Sequence, residues 1–328
     1  LSLYGASRSD SGEAFGNVLD GVRIANVSGV QVGRIRPGGS GGWSNVISGN
    51  LGRGVEVFWT ASPATSQNFI FNNLIGTDFS GRVPTENTTA PGNLSDGVFV
   101  SGDADTTIVA NLIGGNRAAG VNVAGTGQKF QGSVRIGANW IGAGPDGGVA
   151  SNGSEGVFLT LLKAEAHGRV QVVDNVIGAN RANGIHVQDS QYVAIRGNRI
   201  GDYGKMLAPD DQTALAGNYS NGVFINSSGH VLVGYEPGAA GSRTPALDGN
   251  TISGNRGSGV VISGTGDGAS EANNIAANRI GTDLKGVDAV ANYNSGVLIS
   301  GSSGNLVDGN VISGNRLYGI VVSGSRST

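Results

Sequence analysis

Four residues in the middle of the chain have side chains that could transfer protons in a catalysed reaction. They are Glu155, His186, Asp202 and Lys205. The last two belong to the segment GDYGKMLAPDDQTALAGN, which starts at Gly201 and also contains Tyr203. A lyase needs a base that abstracts a proton, and His186, Lys205 or Tyr203 could serve. We therefore expect any catalytic centre to lie where this segment approaches His186.

Glycoside hydrolysis would need a different arrangement, in which two carboxylates flank the scissile bond. The two carboxyl groups stand about 5–5.5 Å apart in retaining enzymes and about 6.5–9.5 Å apart in inverting ones. Glu155 with Asp96 or Asp202 meets this requirement only if the fold brings the side chains together. The competing interpretation is that these acids are solvated charges at loop corners, the usual role of acidic residues.

Metal-binding patterns are scarce. The chain contains 3 His and no Cys, so a transition-metal site is not predicted. The Gly-Thr-Asp triplets at 76–78 and 281–283 could favour calcium, but the glycine-rich nonapeptide that binds calcium in other β-solenoids is missing. We interpret both triplets as turns and predict no cofactor, with calcium as the one ion that the acids could attract.

Two short motifs alternate along the chain and supply the elements that must position these residues. The first, Gly-[Val/Ile]-x-[Ile/Val/Leu], begins at Gly21, Gly54, Gly97, Gly120, Gly156, Gly184, Gly222, Gly259, Gly296 and Gly319. The second, Asn-x-Ile-[Ser/Gly], begins at Asn45, Asn73, Asn111, Asn139, Asn175, Asn198, Asn250, Asn278 and Asn310. Apolar residues at every second position, bounded by Gly or Asn, are typical of short strands.

The spacing of these motifs indicates a solenoid. Successive Gly-Val motifs are as close as 23 residues, from Gly97 to Gly120. Three short strands and three turns fill such a repeat, which predicts one rung of a parallel β-helix. The interval from an Asn motif to the next Gly-Val motif alternates between 9 residues and 17–24 residues. We therefore predict an all-β chain, with residues 1–328 forming a single parallel β-helix of about ten rungs in which short and long rungs alternate.

The nine asparagines of the second motif are predicted to be structural. An Asn at the same corner of successive rungs can stack into a ladder, because its amide bonds to the backbone of the next rung and tolerates left-handed turn geometry. The Gly before each Val is predicted to permit either a close backbone approach or a positive φ.

Aromatic residues recur at the outward position of the Gly-Val motif. Alternate side chains of a strand point to opposite faces, so the third residue of the motif faces away from the core. In three long rungs this residue is Phe99, Phe158 or Phe224. With Asp96 and Tyr203 beside them, these rings are predicted to bind a ligand, because apolar surface patches often mark contact sites. The alternative is that the long inserts fold over this face and bury the rings.

Composition excludes several classes of function. The net charge is −3 without a basic block, which argues against nucleic acid as a partner. No apolar run approaches the ~20 residues that a membrane span needs. The 59 glycines follow no Gly-X-Y period, which excludes collagen. Neither end has an obvious polar cap, so we expect either that the sequence is a segment of a longer protein or that a neighbouring molecule covers its ends.

The stretches NVISGN, NLIGTDFSG and NRIGTDLKG, with the Gly-Val motifs between them, resemble the right-handed parallel β-helix repeat proteins of the pectate-lyase-like superfamily. They are similar in particular to repeat arrays of bacterial secreted and surface proteins. The resemblance covers nearly the whole chain and implies a right-handed coil and a secreted or cell-surface location. Lyases of this superfamily carry calcium-binding acids with an Arg or Lys base, galacturonases carry an Asp cluster, and epimerases carry an Asp-Pro-His-Asp tetrad. None of these patterns occurs in this sequence.

Three hypotheses about function follow. The first, favoured by the uniformity of the rungs, is a non-catalytic extracellular scaffold that presents its loops and aromatic face to a polysaccharide or to another surface protein. The second is a polysaccharide lyase or glycoside hydrolase with a groove along Phe158, His186 and Phe224. The third is a fibre subunit that associates end to end by extending its sheets.

Overall fold

Most repeats fold into three short strands, and equivalent strands of successive repeats lie side by side. The computed structural model describes residues 7–8, 14–34, 42–60, 67–83, 92–202, 217–235, 249–264 and 272–324. Within these ranges the regular structure is entirely β-strand, and no helix long and apolar enough to cross a membrane is found there.

The strands form three parallel sheets along the solenoid. The first sheet contains Val22–Ala25, Val55–Phe58, Val98–Ser101, Val121–Ala124, Val157–Thr160, Ile185–Gln188, Val223–Asn226, Val260–Ser263, Val297–Ser300 and Ile320–Ser323. The second contains Gln31–Gly33, Asn68–Phe71, Thr106–Val109, Val134–Gly137, Val170–Val173, Val193–Arg196, Leu232–Gly234, Asn274–Ala276 and Leu306–Asp308. The third contains Val46–Ile47, Leu74–Ile75, Leu112–Ile113, Trp140–Ile141, Val176–Ile177, Arg199–Gly201, Thr251–Ser253, Arg279–Ile280 and Val311–Ile312. A separate antiparallel pair joins Ser7–Arg8 to Ala14–Phe15.

The register aligns equivalent positions of the repeats. In the first sheet, Asn122 pairs with Phe99 on one side and with Phe158 on the other. Each motif position therefore recurs at the strand spacing of about 4.8 Å. The inward residues, such as Val121 and Val123, are fully buried in one apolar core that extends from Ile24 to Ile299. These observations confirm the predicted parallel β-helix of about ten rungs.

The asparagines of the second motif form the predicted ladder. In each of the eight steps, the side-chain Nδ2 of one Asn donates to Oδ1 of the equivalent Asn in the next rung, at distances of 2.7–3.1 Å. All seven interior members also donate from Nδ2 to a backbone carbonyl of an earlier rung, as Asn175 does to Ile136. The ladder lies at the corner where the second sheet turns into the third.

A second ladder of ten asparagines lies at the corner before the first sheet. Its members are Asn17, Asn50, Asn93, Asn116, Asn152, Asn180, Asn218, Asn255, Asn292 and Asn315. Each stands four residues before the Gly of a Gly-Val motif. The sequence prediction identified only the first ladder.

The described inserts of the long rungs cover the outer face of the third sheet. Residues 143–149 form a small antiparallel turn in which Ala143 bridges to Val149. Arg82 of the preceding insert pairs with Asp146 at 3.1 Å, and Leu112 beneath them is only 2% exposed. These inserts therefore lie over the third sheet, while the aromatic residues predicted to bind ligand project from the first.

Candidate functional site

The outward residues of the first sheet form one continuous column along the solenoid. In successive rungs they are Arg23, Glu56, Phe99, Asn122, Phe158, His186 and Phe224. At a rung spacing of about 4.8 Å the column is roughly 29 Å long. Its aromatic members are half-buried. We call this column, with the residues directly beside it, the first-sheet face.

His186 is sandwiched between two phenylalanines of the first-sheet face. Its ring centre lies 5.0 Å from that of Phe158 and 4.8 Å from that of Phe224. Because these separations match the rung spacing, the ring faces point along the solenoid and the ring edges point outward. His186 Nε2 is buried and has no hydrogen-bond partner among the described residues. A ligand above the face would meet an apolar floor of ring edges.

Glu155 holds the other side of the His186 ring. Its Oε1 lies 3.5 Å from His186 Nδ1, and its Oε2 accepts a hydrogen bond from the Ser154 hydroxyl. Burial by itself raises the pKa of Glu155, but the hydrogen bonds from His186 and Ser154 outweigh it and lower this pKa to about 2. Glu155 is therefore an ionised carboxylate that fixes the orientation of the imidazole.

Asp96 occupies the position equivalent to Glu155 two rungs earlier, roughly 9.6 Å away along the sheet. Its carboxylate accepts hydrogen bonds from the Ala119 N–H at 3.0 Å and from Asn122 Nδ2 at 3.1 Å. Burial raises the pKa of Asp96 above its ordinary value, and the charge of Glu155 adds to the increase, against the effect of these two hydrogen bonds and of Arg53. The face thus contains two carboxyl groups whose pKa values are displaced in opposite directions.

The start of the first-sheet face contains a charged cluster that the sequence prediction missed. Arg23 Nε lies 2.8 Å and Arg53 Nη1 2.7 Å from the two oxygens of the buried Glu56 carboxylate. The Arg53 guanidinium also lies 4.0 Å from the centre of the Phe99 ring. One face of Phe99 is therefore covered by a cation. The signal was present in the sequence, because Glu56 and Arg23 stand at outward positions and Arg53 directly precedes a motif Gly.

The remaining predicted site residues are not all brought to this face. Asp202 follows a strand of the third sheet and pairs with Arg199 at 3.0 Å. Tyr203 and Lys205 lie outside the described residues. The structure therefore brings together Asp96, Phe99, Glu155, Phe158, His186 and Phe224.

The acids of the Gly-Thr-Asp triplets have structural partners. Asp78 Oδ1 accepts hydrogen bonds from the backbone N–H groups of Ser80 and Arg82. Asp283 Oδ1 accepts them from Val287 and Asp288. Both acids therefore close turns, as the sequence interpretation proposed. Over the described ranges, no group of three or more His, Asp or Glu residues is arranged to hold a metal ion.

Glu155 is expected to make the stability of the protein depend on pH. Its pKa falls from an ordinary 4.5 to about 2, so its stabilisation is complete above about pH 4.5 and is lost as the pH falls toward 2. This contribution is at most about 3 kcal/mol. In urea unfolding at about pH 5 and about pH 3, the wild-type protein should exceed Glu155→Gln in free energy of unfolding at the higher pH. The difference in free energy of unfolding between the two proteins should be smaller at the lower pH.

Asp96→Asn provides a control of opposite sign. Because burial raises the pKa of Asp96, its contribution to stability is present below the ordinary value of 3.8 and is lost as the pH rises. Asp96→Asn removes this charge and should therefore raise the free energy of unfolding, relative to wild type, most at about pH 5. If the difference in free energy of unfolding between wild type and Glu155→Gln were the same at both pH values, this would contradict the role assigned to Glu155.

Comparison with known families gives one sequence match. The family profile described as "Right handed beta helix region" matches residues 160–328, just over half of the chain. No curated protein matches the sequence.

Several solved structures are similar to the chain at low identity. The A-module of mannuronan C-5 epimerase AlgE4 from Azotobacter vinelandii is 15% identical with a TM-score of 0.46, over 92% of this chain and 67% of that one. The periplasmic alginate epimerase AlgG is 12% identical with a TM-score of 0.40, over 93% and 74%. The surface protein and adhesin PfbA of Streptococcus pneumoniae is 12% identical with a TM-score of 0.23, over 93% and 84%. Enzymes and adhesins both occur among these structures, so they do not discriminate between catalysis and binding.

Proposed function

Since the chain belongs to the right-handed β-helix family, we propose that it is a non-catalytic scaffold that binds a polysaccharide along its first-sheet face. The solenoid holds this face straight over several rungs, which suits an extended polymer. We further propose that the protein is secreted or displayed on a cell surface, where it would meet such a polymer. A neighbouring surface protein is the other partner that this face could bind.

The observation that carries the proposal is the continuous column of aromatic and polar side chains on one rigid sheet. Ring edges of Phe158, His186 and Phe224 supply apolar contact. Asp96 and Glu155 stand beside them, and the partly exposed Glu155 carboxylate can accept hydrogen bonds from sugar hydroxyls. Carbohydrate sites typically combine aromatic surface with a few fixed polar groups, as ligand sites do in general.

The same geometry favours binding over catalysis. A general base must reach the proton that it abstracts. His186 Nε2 is buried between two rings, and its Nδ1 side is occupied by Glu155. Both ring nitrogens of His186 are therefore covered by neighbouring side chains.

Removal of two rings tests the proposal. We expect Phe158→Ala/Phe224→Ala to weaken binding to the best ligand of a polysaccharide panel by about tenfold, because each aromatic contact contributes roughly 0.5–1.5 kcal/mol beyond its area. Phe79→Ala is the matched control, since Phe79 is 54% exposed in the insert over the third sheet. Isothermal titration calorimetry gives the affinities, and circular dichroism confirms that each variant is folded. Equal affinities for the double variant and the wild type would refute the assigned face.

The divergent pKa values of Asp96 and Glu155 favour a second candidate, a polysaccharide lyase or glycoside hydrolase. Two carboxyl groups whose environments separate their pKa values are a recurring feature of acid–base sites. The assay is release of reducing ends or of unsaturated products from the same panel. Turnover that disappears in both Glu155→Gln and His186→Ala would replace the scaffold proposal with this one, whereas binding without turnover would support the scaffold.

A further inference from the structure

Arginine and tyrosine side chains form a row along the corner that precedes the first sheet. Each member directly follows an Asn of the second ladder. In the short rungs the residues are Arg117, Arg181, Arg256 and Arg316, and in two of the long rungs they are Tyr219 and Tyr293. We call these six residues the Arg–Tyr row.

The backbone fixes the spacing of the Arg–Tyr row. The N–H of Arg256 donates to the carbonyl of Asn218, that of Tyr293 to Asn255 and that of Arg316 to Asn292, at 2.9–3.0 Å. From Arg181 to Arg316, each member therefore sits one rung above the previous one, and Arg117 lies two rungs before Arg181. Where the row is complete, arginines recur at every second rung, roughly 9.6 Å apart. The Asn ladder beneath makes this spacing rigid.

The side chains of the row are exposed and stack in pairs. Tyr219 is 37% and Tyr293 47% exposed. The Arg256 guanidinium lies 4.1 Å from the centre of the Tyr219 ring, and Arg316 lies 4.1 Å from that of Tyr293. A guanidinium stacked on a ring keeps its N–H donors at the edge of its plane, where they can bind an anion.

Among the described residues, the arginines of the row lack acidic partners, whereas four arginines elsewhere in the protein have them. Arg23, Arg53, Arg82 and Arg199 each pair with a carboxylate. In the part of the chain that the structure describes, no ion pair involves the four arginines of the row. A line of uncompensated cations on a protein of net charge −3 creates a local positive potential that attracts anions.

We propose that the Arg–Tyr row binds an extended anionic polysaccharide whose negative charges meet the arginines at every second rung. Carboxylate and sulfate groups both accept paired hydrogen bonds from a guanidinium, and the tyrosines supply flat surfaces for the sugar rings between them. The row lies three residues before each motif Gly, beside the first-sheet face. The inference rests on the proposed function, because one polymer would occupy both the Arg–Tyr row and the first-sheet face. It adds that this polymer is negatively charged.

The test compares two double variants that lose the same charge. Arg181→Gln/Arg256→Gln removes two members of the row. Arg135→Gln/Arg169→Gln removes two exposed arginines of the second-sheet side, which are also free of ion pairs among the described residues. Affinities for polygalacturonate, dextran sulfate and neutral dextran are measured by calorimetry at low and high salt.

We expect the row variant to lose at least about tenfold in affinity for an anionic polymer, since hydrogen bonds between charged groups are stronger than those between neutral groups. The second-sheet variant should remain within about twofold of the wild type, and salt should weaken wild-type binding. Preference for polygalacturonate or for dextran sulfate identifies carboxylate or sulfate as the recognised group. Single-stranded DNA that binds as tightly as either polymer would overturn the inference in favour of a nucleic acid.

The failures of the two proposals are distinguishable. Equal losses in both double variants would mean general charge attraction and would overturn the row as a site. Binding that depends on Phe158 and Phe224 but is insensitive to salt and to both arginine pairs would leave the proposed function intact and remove this inference. Absence of binding to polygalacturonate and to dextran sulfate would overturn this inference, whereas only absence of binding to the whole polysaccharide panel would overturn the proposed function.

Discussion

Asn175→Ala is expected to destabilise the protein by about 3–5 kcal/mol, because it leaves several buried polar groups without partners. Asn175 is 1% exposed, near the middle of the first ladder. Its Oδ1 accepts from both the N–H and Nδ2 of Asn139, at 3.0 and 2.9 Å. Its Nδ2 donates to Ile136 O, Val173 O and Asn198 Oδ1. Alanine can replace none of these hydrogen bonds.

Asn294→Ala is the matched control for this prediction. Asn294 is exposed, and no hydrogen bond of its side chain is found among the described residues. Thermal unfolding should show a large decrease in midpoint for Asn175→Ala and almost none for Asn294→Ala. Because a solenoid is stabilised by contacts between neighbouring rungs, amide exchange should increase most in the rungs next to Asn175. Equal midpoints for the two variants would mean that the ladder contributes no stability.

The fold was predictable from the sequence because every rung of a parallel β-helix has the same local structure. Inward residues alternate with outward ones, and each corner needs the same residue type in every rung. The second ladder was equally predictable in principle. Its Asn precedes the motif Gly by four residues in every rung.

The position of the inserts over the third sheet could also be predicted from residue types. The outward residues of the Asn motif include Leu74, Leu112, Trp140 and Val176, which are apolar and need a cover. The insert after Trp140 supplies part of that cover, because its Ala143 packs together with Ala179 of the next short rung against Trp140 and Val176. The first-sheet face has polar residues between its rings and so requires no cover of this kind.

The contacts of the candidate site were not predictable from spacing alone. Register places His186 between Phe158 and Phe224, but the ring orientations depend on rotamers. The contact between Glu155 and His186 crosses from one corner to the next strand and depends on how far each side chain extends. Such contacts are set by three-dimensional packing, which a sequence pattern with a two-residue period does not contain.

Gly184→Ala is expected to destabilise the protein by about 3 kcal/mol or more, because the added methyl group has no room between two rungs. A Cβ at this position would lie 2.6 Å from Ile200 Cγ2 and 2.7 Å from the carbonyl oxygen of Gly222 in the next rung. Gly184 does not have a positive φ. Of the two reasons predicted for the motif glycine, a close backbone approach or a positive φ, the close approach is therefore the one that applies here. To relieve the contact, the rungs must separate and stretch the 2.9 Å hydrogen bond from Ile185 N to Gly222 O.

Gly319 offers an internal control of the same motif position. A Cβ there would have only Ile312 Cγ2 within 4 Å, at 3.8 Å. Gly319→Ala should therefore change the free energy of unfolding by no more than about 0.5 kcal/mol, or raise it slightly by restricting the unfolded chain. Urea unfolding of the two variants beside the wild type measures both effects. If Gly184→Ala proved as mild as Gly319→Ala, the rungs could not be stacked as closely as the hydrogen bonds between them require. If both variants were severely destabilised, the glycine would be needed for its own backbone conformation, and the next rung would not be the cause.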